Sequence, residues 1–108
     1  MSHVTTHILD AATGTPAVGV PVALLHGTGA PLAIAATDAE GRISDLGPDE
    51  LEAGAYRLIF DTKAYYGMTG TTTFYPQVTI DFEVMEGVAH YHVPLLLSPF
   101  AYSTYRGN

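Results

Sequence analysis

Histidine is the side chain best suited to exchange a proton near neutral pH, since its ordinary pKa is about 6.5, and this chain has five, at positions 3, 7, 26, 90 and 92. His90 and His92 are two apart in His90-Tyr91-His92-Val93-Pro94. On a strand that spacing sends both rings to one face, roughly 6 to 7 Å apart at their bases, a separation that can chelate a metal or be incidental to the fold. No further cluster completes a tetrahedral ligand set. His7 lies in Thr5-Thr6-His7-Ile8-Leu9-Asp10, where alternation places it opposite Thr6 and Ile8. Arg42 follows the turn Asp38-Ala39-Glu40-Gly41, and a lone arginine after a hairpin is usually solvated. Taken singly, each of these residues is ordinary, and replacing His3 or His26 is expected to do little to catalysis.

Other chemistries are closed. With no cysteine there is no thiolate nucleophile, disulfide or thiolate-held metal. No serine stands in a Gly-x-Ser-x-Gly elbow, so an acyl-enzyme route lacks its nucleophile. Gly27-Thr28-Gly29 has no lysine and no following helix, and is a hairpin connection rather than a phosphate loop. If the chain is an enzyme, histidine handles the proton.

The elements that must position these residues are short. Val78, Ile80, Phe82 and Val84 alternate with Thr79, Asp81 and Glu83, predicting a half-buried strand over Gln77 to Glu86. Tyr56, Leu58 and Phe60 do the same over Ala55 to Asp61, and the two are expected to be antiparallel. Asp61 to Gly67 starts with capping residues and ends on a glycine suited to C′, which predicts one short helix. Strands are expected near Val4 to Asp10, Val20 to His26, Leu32 to Thr37 and Arg42 to Ser44, with turns at Thr13 to Pro16, Gly27 to Gly29 and Asp38 to Gly41. In His90 to Leu97 the odd positions form a core face, yet the other face has His90, His92, Pro94 and Leu96 instead of solvent-facing charges. That face should also be covered, and in so small a chain the cover would come from another subunit.

The composition sets the class. A chain of 108 residues, 47% hydrophobic, fits one domain over residues 1–108. Eleven glycines and seven prolines without sustained helical periodicity favour an all-β fold. A net charge of −7 with four Lys and Arg leaves no basic stripe for nucleic acid or anionic membrane. The longest apolar run, near Val93 to Phe100, is broken by two prolines and falls short of the ~20 residues that span a bilayer. The N-terminus lacks a signal peptide's charged and apolar regions, and Arg106-Gly107-Asn108 is no peroxisomal tripeptide, so a soluble cytoplasmic protein is expected.

Taken together, the motifs carry a resemblance. His90 to Pro99 followed by Tyr102-Ser103-Thr104-Tyr105-Arg106-Gly107 resembles the C-terminal signature of the 5-hydroxyisourate hydrolases. Thr6 to Asp10 with Thr13-Gly14-Thr15-Pro16-Ala17 resembles the N-terminal signature of that family, and Thr37 to Arg42 its central one. The resemblance implies a transthyretin-like sandwich of two antiparallel sheets, with one short helix near 62–67 and four subunits around a central channel. It implies a catalytic set of His7, Arg42 and His92, a substrate site completed by Tyr105, Arg106, Gly107 and Asn108, and neither metal nor organic cofactor. Asn108 departs from the serine with which the family usually ends; its amide donates and accepts as a hydroxyl does, but is larger.

The implied reaction is hydrolysis of 5-hydroxyisourate to 2-oxo-4-hydroxy-4-carboxy-5-ureidoimidazoline in urate breakdown. Water must attack a ring carbonyl, so a base is needed near neutral pH. The base is His92 or His7; His92 is assigned the role here, with His7 orienting water and substrate, and Arg42 is the electrophile that holds carbonyl oxygens and the oxyanion. Two rivals stand beside this. A transthyretin-like carrier would hold a small ligand in the same channel without catalysis, but that carrier lacks the equivalent histidines and the Tyr105-Arg106-Gly107 ending. A metal-binding sandwich would use His90 and His92.

Overall fold

The computed structural model describes residues 2–108; Met1, on which the expectation about the N-terminus rests, lies outside the described residues. The chain runs β1 (Val4–Asp10), β2 (Thr15–Pro16), β3 (Pro21–His26), β4 (Pro31–Ala36), β5 (Arg42–Ile43), β6 (Gly54–Phe60), α1 (Thr62–Gly67), β7 (Val78–Val84), β8 (Tyr91–Ser98) and β9 (Ala101–Thr104). One sheet has the order β2-β1-β8-β9, with β5 also paired to β1, and the other β4-β3-β6-β7.

Period-two alternation explains the sandwich. Val4 and Ile8 from β1 and Tyr91, Val93, Leu95 and Leu97 from β8 are buried. They face Val22 and Leu24 of β3, Tyr56, Leu58 and Phe60 of β6, and Val78 and Val84 of β7, all buried in one core. Each such side chain contributes about 1.5 to 3 kcal/mol on leaving water. The expected core faces of β6, β7 and β8 are those observed, and the β6–β7 pairing is antiparallel.

Four local expectations need adjustment. The pair β1–β8 is parallel while every other pairing is antiparallel. This is possible because the whole second sheet lies between them in sequence and supplies the long crossover that parallel neighbours require. Gly67 is the last helical residue and not C′; Met68 caps in the right-handed region and the chain reverses at Gly70, where φ is +67°. Asp61 does cap the start, accepting the Ala64 N–H at 3.0 Å. Finally, Thr15–Pro16 pairs with β1 although it looked like a turn, and β9 was missed because all four of its residues are exposed and show no alternation.

β4 is an edge strand whose outer residues are exposed, Ile34 most of all. Just past its end the buried Thr37 hydroxyl ties it to the start of β3, donating to the Ala17 carbonyl at 2.6 Å and accepting the Val20 N–H at 2.9 Å. Among the described residues, no helix is long and apolar enough to cross a membrane.

Candidate active site

The sheet of β1, β5 and β8 turns one face to the core, and its other face collects the polar residues. In the parallel register Thr5 is beside His92 and His7 beside Pro94. On the opposite edge of β1, His7 pairs with Arg42. His7, Arg42 and His92, distant in sequence, therefore share one face because side chains on paired strands follow a common pleat.

Arg42 is aimed by its turn. The Asp38 carboxylate accepts the N–H groups of Glu40 at 2.8 Å and Arg42 at 3.0 Å, and those two bonds hold its pKa below the usual carboxylate value. Gly41 is required there. Its φ is +76°, and a Cβ would stand 2.5 Å from the Ile8 carbonyl oxygen; its own carbonyl accepts the Ile8 N–H at 2.7 Å. The Arg42 side chain is about half exposed, and its Nε is 3.9 Å from the Glu40 carboxylate, a distance at which a surface pair adds little. The guanidinium is thus available to a ligand.

His7 donates from Nε2 to the Glu40 carbonyl at 3.0 Å, which leaves Nδ1 as the acceptor of its neutral ring. The His92 ring is half-buried, with Nδ1 at 2.8 Å from Thr5 Oγ1. Burial pushes the His92 pKa below the ordinary histidine value, and the neighbouring Arg42, His7 and His90 push it further the same way. A neutral imidazole beside a free guanidinium can accept a proton while the cation stabilises a developing oxyanion.

The tail closes on this face. Gly107 donates its N–H to the His92 carbonyl at 2.8 Å. The Arg106 guanidinium lies over the Tyr91 ring, 4.7 Å from its centre, which anchors the tail by cation–π attraction. Asn108 lines a cleft of about 220 Å³ with Thr5, Arg42, Ser44, His90 and His92. Tyr105 and Arg106 do not join it: within one chain they border a neighbouring cleft with Phe82, Tyr91 and Val93.

Two histidines sit apart. His26 contacts Thr28 in the exposed hairpin. His3 is buried, donating from Nε2 to the Val88 carbonyl at 2.8 Å and accepting the Leu51 N–H at Nδ1, also at 2.8 Å. It pins the loops that precede β6 and β8, a structural role. A wider cleft at that end of the sandwich, between residues 49–53 and 85–89, holds neither Arg42 nor His92. Sequence reasoning also passed over Thr5, whose only signal was its place two residues before His7 on the same strand face. No group of three or more metal-ligating side chains occurs among the described residues.

Comparison with known proteins bears on this geometry. Residues 4–107 match the HIUase/Transthyretin family. The 5-hydroxyisourate hydrolase of Caulobacter vibrioides is 44% identical, with all of both chains covered. The structure of Klebsiella pneumoniae 5-hydroxyisourate hydrolase superposes with a TM-score of 0.91 at 41% identity, covering 99% of this chain and 100% of that one. Transthyretin from Sparus aurata superposes equally well, at 0.91 and 38% identity, covering 99% and 97%.

Proposed function

This chain belongs to the HIUase/Transthyretin family, and on that premise we propose that it hydrolyses 5-hydroxyisourate to 2-oxo-4-hydroxy-4-carboxy-5-ureidoimidazoline in purine breakdown. The observation that carries this reading is the convergence of His7, Arg42 and His92 on one face. The backbone alone suits a hydrolase or a carrier, since solved examples of each superpose equally well, and function must be argued from the site.

In the proposed reaction neutral His92 takes a proton from water, and the hydroxide oxygen bonds to a ring carbonyl carbon. Arg42 holds the oxyanion. Collapse breaks the adjacent carbon–nitrogen bond; the nitrogen takes the proton back from His92 and becomes part of the ureido group, and the carbon becomes the carboxylate. His7, held to the Glu40 carbonyl, offers Nδ1 to orient water or substrate. Asn108 supplies the tail's polar contact, and Arg106, Gly107 and Tyr105 shape the ending around it. No cofactor or metal takes part in any step.

We assign the working form as a cytoplasmic homotetramer of one-domain chains. Leu96 stands exposed on the site face of β8, where a subunit packed face to face would cover the site and form the channel. The identity of the product tests the reading. With substrate made from ¹³C-labelled urate, NMR should show one ring carbonyl becoming a carboxylate while the five-membered ring stays closed. Binding without that signal would favour a carrier.

A further inference from the structure

Thr5 stands between two imidazoles. Its Oγ1 is 2.8 Å from His92 Nδ1 and 3.1 Å from His90 Nε2, and the residue is buried. The parallel register, which sets Thr5 beside His92, produces this bridge. A hydroxyl has one proton to donate and lone pairs to accept, so it donates to one ring and accepts from the other. Two arrangements satisfy both contacts. In one, His92 donates from Nδ1 to Thr5, Thr5 donates to a bare His90 Nε2, and His92 Nε2 is a free lone pair. In the other every proton is reversed, His92 carries its proton on Nε2, and that atom cannot act as a base.

We infer that Thr5 is a positioning residue: by donating to His90 it keeps the proton of neutral His92 on Nδ1 and leaves Nε2 to take the proton from water. The inference rests on the reading of His92 as base. An imidazole otherwise chooses between its tautomers according to which nitrogen finds a partner, and among the described residues His92 Nδ1 is paired to Thr5 alone. The bond persists through the cycle, because Nδ1 donates to Thr5 both before and after Nε2 gains its proton. The Gly107 backbone, bonded to the His92 carbonyl, lies against the ring, where a Cβ would stand 2.6 Å from His92 Cδ2. The charged or titratable groups that face the ring are Arg42 from β5, His7 from β1 and His90 just before β8.

The tautomer can be read directly. In ¹⁵N spectra of histidine-labelled protein at neutral pH, His92 should show a protonated Nδ1 and a bare Nε2. Thr5→Val keeps the shape and removes the hydroxyl. It should move His92 toward the Nε2-protonated form and lower kcat about 10-fold or more, with KM nearly unchanged; Thr5→Ser should restore both. Should Thr5→Val not fold, His90→Leu removes the acceptor instead and should have the same two effects. A bare Nδ1 in the wild-type protein, or a substituted protein with unaltered spectrum and kcat, overturns the relay. Full activity in His92→Asn would instead overturn the reading of His92 as base, while the wild-type spectrum would still decide whether Thr5 sets its tautomer.

Discussion

Gly107 and His92 are joined through backbone and crowded through side chain: the Gly107 N–H donates to the His92 carbonyl at 2.8 Å, and a Cβ on Gly107 would stand 2.6 Å from His92 Cδ2. The conflict is one of space, and the atom in the way belongs to the proposed base. Gly107→Ala should therefore turn the imidazole away from Thr5 and lower kcat by about 10-fold or more, since small misplacements of a reacting group are costly. Thermal unfolding should change little because the bridge lies outside the core. A full rate in Gly107→Ala would show that the ring tolerates the displacement.

The same bridge brings Asn108 beside His92. Asn108 already occupies the cleft with His92, whereas most chain ends tolerate extension freely. A tag fused after Asn108 should reduce turnover far more than the same tag at the N-terminus, and deletion of Tyr105 to Asn108 should do likewise without unfolding the sandwich. Equal rates for all forms would make the ending structural.

The pH profile follows from His92. Burial first, then Arg42, His7 and His90, lower its pKa from 6.5. A base works unprotonated, so a lowered pKa preserves the active form to more acidic pH, and the acid limb of kcat/KM should fall below pH 6.5. Arg42→Gln removes the neighbouring guanidinium and should move that limb upward while also slowing the reaction through loss of the oxyanion donor. Initial rates across about pH 5 to 8 measure both effects. A limb above 6.5, or one unmoved by the substitution, would contradict the assignment.

Leu96 tests the assembly. It lies on the site face of β8, 36% exposed in the single chain, and would be buried in the proposed channel. Leu96→Asp should dissociate the tetramer and abolish turnover together, because an unpaired buried carboxylate is strongly disfavoured. Light scattering should give a mass about four times 11.5 kDa for the wild-type protein and less for the variant. A wild-type monomer would refute the shared channel.

What could be seen in the sequence depended on whether the signal was local. Val78 to Val84 and Tyr91 to Leu97 were legible because one face of each strand is buried and alternation records it. Asp61 was legible because capping chemistry lies within one turn. The meeting of His7, Arg42 and His92 was not, since it arises from the pairing of β1 with two strands distant in sequence, β5 and β8, which leaves no periodicity; the set came from family resemblance. Thr5 escaped for the same reason: its partner on β8 is fixed by register and not by neighbours in the chain. His3 escaped because a histidine whose two nitrogens are satisfied by loop backbone looks, in sequence, like any other.

The most direct measurement follows the ultraviolet absorbance of freshly generated 5-hydroxyisourate with wild-type protein, with His92→Asn, with His7→Asn and with none. The wild-type chain should speed the decay well beyond the spontaneous rate, and each substitution should remove about 10²-fold or more of that catalysis with the fold intact, the usual scale for losing a positioned acid or base. Decay at the spontaneous rate with the folded wild-type protein present would contradict the account at its centre.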